Sequence, residues 1–330
     1  MDFSLTGHQE LLRDTARTLF ARECPPSLLR AHMRDPAAAD ALWAQVREYT
    51  ALGEGPLTDL HFFLEEAGYV AAPGPFFPTA ALFAPLLAAT GHELLPAVLA
   101  GEVTGTVAVA GADGTWVAND DPVKTFVAEA DRVDWVAVVS GGPTVALVQS
   151  PPVRAVETVD PSRRLFEVEA NGLDRNEALA LDPGALDDLV ERATVALAAE
   201  MVGTARRLFD MTLAYAKERV QFGVPIGSFQ AIQHKLADMA LDLERATSAV
   251  QYAAMTHDAA DPDRHRATHV AKAAAGAAAT RAAKDGMQIH GGIGYTWEHD
   301  LHLFIRRAYG AEHWLGTRAE HHDQLADLLI

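Results

Sequence analysis

Arg219-Val-Gln-Phe-Gly-Val-Pro-Ile-Gly-Ser-Phe-Gln-Ala-Ile-Gln-His-Lys-Leu-Ala-Asp-Met239 is the most informative stretch of this 330-residue chain. It reads as the end of one helix, closed by the cation of Arg219 and a Gly-Pro-Gly turn, then a second helix that Ser228 opens as N-cap. Taken alone, Arg219 is a cation satisfying the C-terminal dipole of its helix. Working outward, an apolar period of about 3.6 residues runs from Ala185 almost to the C-terminus, interrupted by glycine at 223–227 and 291–294. Upstream, Val103, Val107, Val109, Trp116, Val117, Phe126, Val127, Trp135, Val136, Val138 and Val139 fall in short runs divided by Gly, Asp and Pro. That pattern predicts a small antiparallel β region, continuing through 145–148 and 166–168 and closing near Asp182, Pro183 and Gly184. Before it, helical spacing holds over 5–23, where Leu11, Leu12, Leu19 and Phe20 recur, and over 37–49 and 57–69. Pro73, Pro75 and Pro78 then break the chain before a helix at 80–90. Strands segregated from helices predict an α+β assembly: an all-helical domain over 1–100, a β domain over 101–183 and a helical domain over 184–330.

Composition narrows the function classes. A hydrophobic content of 49% is that of a globular protein, and a formal net charge of -18 excludes a nucleic-acid partner, which Lys and Arg clusters would have to hold. Cys24 is the single cysteine, so no internal disulfide forms, as suits a reducing cytoplasm. The first residues run straight into an amphipathic pattern with no leader, and the longest apolar stretch, 79–90, is broken by Pro85, so neither targeting nor membrane spanning is expected. No Cys/His spacing resembles a zinc site, and the i, i+3 pair His299 and His302 lacks a third convergent ligand. The Ala-rich run at 270–283 reads as a helix favoured by low side-chain entropy cost. Trp297 and Trp314 read as packing residues.

Three motifs carry a resemblance. The 219–239 stretch has the order R-x-x-F-G, a turn, F-Q-x-x-Q and L-A-D-M. About seventy residues later stands Gln288-Ile-His-Gly-Gly-Ile-Gly-Tyr295, with Glu298 and Arg306 following. Consecutive glycines let backbone approach a ligand closely. The third is Asp160-Pro-Ser-Arg-Arg164. Together, in domain order and over essentially the whole chain, they resemble the acyl-CoA dehydrogenase family. The resemblance implies an N-terminal helical domain, a small middle β domain and a C-terminal four-helix bundle, with an FAD lying across a subunit interface. It implies that Arg219, Phe222, Gln288 and Gly292 reach the pyrophosphate and adenine side of a neighbour's FAD, with Gln221 as a further polar contact. Thr317, the end of a third C-terminal motif, joins this cofactor-binding set. A permanently charged guanidinium fork suits a pyrophosphate.

Set against the family, the chain has losses. The flavin-embracing T-E-P-x-x-G-S-D loop is missing, since Val107-Ala-Val-Ala-Gly111 leads almost directly to Gly114-Thr-Trp-Val-Ala-Asn119 and Lys124. Dehydrogenation needs a carboxylate to take the α proton while hydride passes to flavin. Most members carry it in Y-E-G-T, which here reads Trp314-Leu-Gly-Thr317, with Leu315 at the base position. Others carry it ten residues before a glycine matching Gly203, where Ala193 stands. Glu191 and Glu200 flank that position, but two residues turn a helix by about 200°, and seven residues shift a group about 10 Å along it. Both are expected to be solvated or interface carboxylates, and no catalytic residue is assigned.

These losses resemble the shorter subunits of heteromeric, α2β2 acyl-CoA dehydrogenases of steroid side-chain degradation. The implied partners are a homologous subunit bearing the catalytic Glu, an acyl-CoA substrate, and electron-transfer flavoprotein as acceptor, with one FAD per heterodimer. Two other readings stay open: a homo-oligomeric enzyme with an unrecognised base, and a flavin-free scaffold subunit.

Overall fold

The computed structural model describes residues 2–142, 144–172, 178–182 and 184–329. The expected boundary at Pro183 lies outside the described residues. Six helices precede the strands: α1 Gly7–Glu23, α2 Pro26–His32, α3 Asp40–Val46, α4 Leu57–Tyr69, α5 Ala84–Thr90 and α6 Leu95–Leu99. Helix α1 starts at a capping box, in which the Thr6 side chain accepts from the Gln9 N–H and the Gln9 side chain from that of Thr6. Leu12, Ala16 and Phe20, spaced four apart, form its buried stripe, while Leu11 is exposed. The prolines interrupt less than expected: Pro78–Phe83 forms a π-helical turn running directly into α5, and Gly91, at φ 64, ends the run.

The strands form two sheets. One has the order β1 Gly105–Ala108, β3 Trp135–Ser140, β4 Thr144–Val148 and β7 Leu179–Ala180; the other has β2 Val123–Ala128, β6 Leu165–Glu169 and β5 Val153–Val156. The expectation of a wholly antiparallel region needs one correction, because β1 pairs with β3 in parallel. The chain crosses to β2 in the other sheet before returning, which restores the strand direction. Trp116 and Val117 lie in that crossing and not in a strand. A register shift in β2 puts Phe126 at φ 56, a bulge that turns its carbonyl out of the ladder.

The helices that follow are α7 Ala185–Glu218, α8 Gln230–Asp258, α9 Arg264–His290, α10 Leu301–His313 and α11 Arg318–Leu329. Helices α7 to α10 make the bundle, and α11 lies along α9. Ala271, Ala275, Ala278, Ala279 and Ala282 are buried on α9, so the alanine run lets helices approach closely and is not a matter of propensity alone. Between α7 and α8 a two-stranded hairpin, β8 Val220–Gln221 and β9 Val224–Pro225, replaces the expected simple turn. Ser228 does not cap α8: its hydroxyl donates to the Pro225 carbonyl inside a 3-10 turn, and Phe229 holds the cap position.

Candidate functional site

One end of the bundle gathers most of the motif residues. The ring of Tyr215, in the last turn of α7, stacks on His290 at the end of α9, with centroids 4.4 Å apart. Lys235 of α8 reaches Asp285 of α9 at 2.5 Å, so three helix ends are tied together there. From that base Arg219 ends α7, its N–H donating to the Tyr215 carbonyl. Its side chain is exposed and has no ion-pair partner among the described residues, so the helix-terminus reading leaves the guanidinium itself unexplained. The hairpin is closed by Phe222 and Gly223, both at positive φ, as a two-residue loop matching the strand twist requires. Glycine adopts that backbone freely, whereas Phe222 is held there at a cost of about 1 kcal/mol or more while 92% of it is exposed. Gln221 is exposed and bonds only the neighbouring Val220 carbonyl. Gln288 is exposed in the last turn of α9, and a Cβ on Gly292 would meet nothing within 4 Å.

Thr317 stands apart from this group. Lys272 of α9 donates to the Gly316 carbonyl at 2.7 Å, which puts Thr317 roughly sixteen residues, or about 24 Å, down α9 from Gln288. There Thr317 and Glu320 form a capping box that opens α11, with the hydroxyl 2.9 Å from the Glu320 carboxylate.

The junction between the β sheets and the bundle is largely occupied by side chains, with a cavity of about 160 Å³ left beside Phe126, Val159, Leu165 and Trp314. Trp314 is buried with its ring 5.1 Å from Phe77 and 6.1 Å from Trp116, and its indole N–H donates to the bulged Phe126 carbonyl at 3.1 Å. The Arg163 guanidinium lies over the same indole at 4.6 Å. Leu315, at φ 56, and Ala193 are both buried in the apolar core. Glu191 lies 2.7 Å from His265, and partial burial raises its pKa.

Glu200 departs from expectation. It is 4% exposed, not solvated, and its Oε1 accepts from both Arg163 and Arg307. Arg307 also meets Asp160 at 2.8 Å, the Ser162 hydroxyl at 2.9 Å and the Ala71 carbonyl at 3.2 Å. Two cations and two carboxylates thus neutralise each other beside a cavity of about 40 Å³, well below the roughly 150 Å³ that holds a benzene ring. The motif 160–164, which leads into β6, supplies half of this quartet. Trp297 is not a core residue either: it is 61% exposed, beneath the Arg306 guanidinium at 4.7 Å and edge-on to His302. Among the described residues no three His, Cys, Asp or Glu converge as metal ligands, and no helix is long and apolar enough to cross a membrane.

The residues fit one half of an FAD and not the other. The outward-facing cation, carboxamides, aromatic ring and open glycine suit a pyrophosphate and adenine approached from outside the chain. At the Trp314 junction the cavities are of about 40 Å³ and about 160 Å³, the larger one benzene-sized and too small for three fused rings.

Comparison with known proteins gives the family. Residues 189–330 match the acyl-CoA dehydrogenase C-terminal domain. Over 324 residues the chain is 32% identical to acyl-CoA dehydrogenase IpdE2 of Mycobacterium tuberculosis, covering 94% of each. The chain belongs to the acyl-CoA dehydrogenase family. Acyl-CoA dehydrogenase FadE34 of the same organism is 36% identical over 277 residues, 79% of this chain and 37% of FadE34. Among solved structures, the Tcur3481-Tcur3483 steroid ACAD superposes with a TM-score of 0.86 at 26% identity, over 98% of this chain and 97% of that one. The ChsE4-ChsE5 complex of Mycobacterium tuberculosis shares the fold with a TM-score of 0.87 at 22% identity, over 100% of this chain and 99% of that one.

Proposed function

We propose that this acyl-CoA dehydrogenase chain is the non-catalytic subunit of a heteromeric enzyme, lending FAD contacts to a homologous partner that bears the catalytic Glu. One observation carries the reading: an exposed set of dinucleotide-suited residues coexists with a junction that Trp314, Trp116 and Arg163 narrow to less than a flavin ring needs. Arg219 would neutralise the pyrophosphate, Gln288, Gln221 and the open backbone at Gly292 would meet its adenine side, and Phe222 would pack against the dinucleotide. Thr317 is assigned to the cofactor with them, although its hydroxyl is engaged at the α11 cap. FAD, when bound, supplies the hydride acceptor for α,β-dehydrogenation of a CoA thioester. With Leu315 and Ala193 at the two base positions, this chain holds no proton acceptor for that reaction.

The steroid ACAD at 26% identity supports a steroid CoA thioester as substrate, and its two-part name supports an assembly of two different subunits, for which α2β2 is the proposed stoichiometry. Electron-transfer flavoprotein is the proposed acceptor, the cytoplasm the proposed compartment, and 100/101 and 183/184 the proposed domain boundaries. Flavin absorbance decides the matter. The chain purified alone should be colourless, and co-expression with a homologous subunit should give a yellow complex with one FAD per heterodimer. A yellow homo-oligomer that oxidises acyl-CoA would overturn the proposal, as would an active complex whose flavin ignores the Arg219 side of the interface.

A further inference from the structure

Away from the motif residues, a cleft of about 240 Å³ opens between α1, α4, α7 and α10. Phe20, Val70 and Phe304 give it an apolar lining, with Arg17, Tyr69, Arg207 and the buried carboxylate of Glu66 as its charged and polar members. Two of the cations nearby are committed. Arg17 pairs with Glu66 at 3.0 Å, and Arg206 pairs with Glu65 at 2.7 Å and Glu66 at 2.9 Å. Arg207 differs. Its guanidinium sits 5.3 Å from the Tyr69 ring and 5.1 Å from the Phe304 ring, and it has no carboxylate partner among the described residues. Its Nε is buried without a hydrogen-bond partner. The Tyr69 hydroxyl is held by Asp210 at 3.0 Å, so the ring beside Arg207 is fixed.

An arginine held against two rings, beside an apolar cleft and without a carboxylate partner among the described residues, is preorganised for an anion. We infer that this cleft binds a small carboxylic acid with an apolar body, the carboxylate on Arg207 and the body against Phe20, Val70 and Phe304. Size limits the ligand. A cavity of about 150 Å³ holds benzene, so the cleft admits a benzoate-sized acid but not a whole CoA thioester. The site is non-covalent, because burial pushes the neighbouring Cys24 thiol up to about 12 and leaves it unreactive.

The test is titration of the assembled complex with benzoate, and with benzyl alcohol as its neutral counterpart, followed by calorimetry. Benzoate should saturate and benzyl alcohol should bind at least tenfold more weakly. Arg207→Gln should weaken benzoate at least tenfold. Ala21→Trp, placed on the exposed rim of the cleft, should block both probes without disturbing the core. If Arg207→Gln does not fold, the Ala21→Trp result decides alone. Absence of saturable benzoate binding, equal binding of the alcohol, or binding retained in either folded variant would overturn the site.

Discussion

Gly68 of α4 and Gly203 of α7 mark a backbone-to-backbone crossing: a Cβ on Gly203 would stand 1.9 Å from the Glu65 carbonyl oxygen, and one on Gly68 2.0 Å from that of Glu200. The Thr204 hydroxyl donates to the Gly68 carbonyl at 3.0 Å across the same gap. Neither obstacle is a flexible side-chain tip, so a methyl group at either position must push two helices apart.

Gly203→Ala should therefore destabilise the chain by about 3 kcal/mol, the upper part of the usual range for overpacking, although alanine is the better helix former. Urea unfolding measures it. Gly7→Ala, where a Cβ meets nothing within 4 Å, is the control and should change little. Equal midpoints for the two variants would contradict the crossing.

The two glutamates near the Ala193 position should behave differently. Glu200→Gln removes the charge between two buried guanidiniums, and breaking such a network costs about 3–5 kcal/mol. Assembly and yield should fall, while turnover per folded complex holds. Glu191→Gln, which loses only the contact to the half-exposed His265, should leave both nearly unchanged. A hundredfold loss of turnover in either variant, with flavin content intact, would reveal a working base in this subunit.

Arg219→Ala should weaken FAD retention by the complex about ten- to hundredfold, the worth of a charge-assisted phosphate contact of about 1.5–3 kcal/mol. Because the side chain is exposed and unpaired, the variant should fold as the wild type does. Flavin released on dilution gives the affinity, and an unchanged dissociation constant would mean that Arg219 does not touch the cofactor.

Burial holds the imidazoles of His32, His61, His257 and His321 down at about 4, from an ordinary 6.5. The folded chain resists protons that the unfolded chain accepts, so this stability is complete above about pH 6.5 and drains away as the pH falls toward 4. Glu129, raised by burial to about 7, acts in the opposite sense, and Glu65 is raised in the same direction. Four histidines outweigh them. The urea midpoint should be lower at pH 5 than at pH 7, and an equal or higher one at pH 5 would refute the balance.

What the sequence made legible was local. The 57–69 helix, the three-part order and the cation at the end of α7 all follow from periodicity and caps, which act over a few residues. The bundle-end gathering of Arg219, Phe222 and Gln288 was legible only through motif resemblance, since two helices separate them in the chain. The Asp160, Arg163, Glu200 and Arg307 quartet was not legible, because each residue alone reads as a surface charge and only tertiary packing removes its water. Trp297 failed in the reverse direction: an apolar residue on a helix-flanking turn gave no sign that it would face outward.

The quartet also bears on the order of folding. Glu200 and Arg307 are 107 positions apart, and Arg307 and Ala71 are 236 apart, so these contacts close only after long loops have been drawn in. Until then each charge is better left in water, so the quartet is expected to close late, on the native side of the rate-limiting barrier. Substitutions within it should chiefly accelerate unfolding and barely slow refolding. The lifetime of the folded chain, more than the speed at which it is made, should then rest on these four buried side chains.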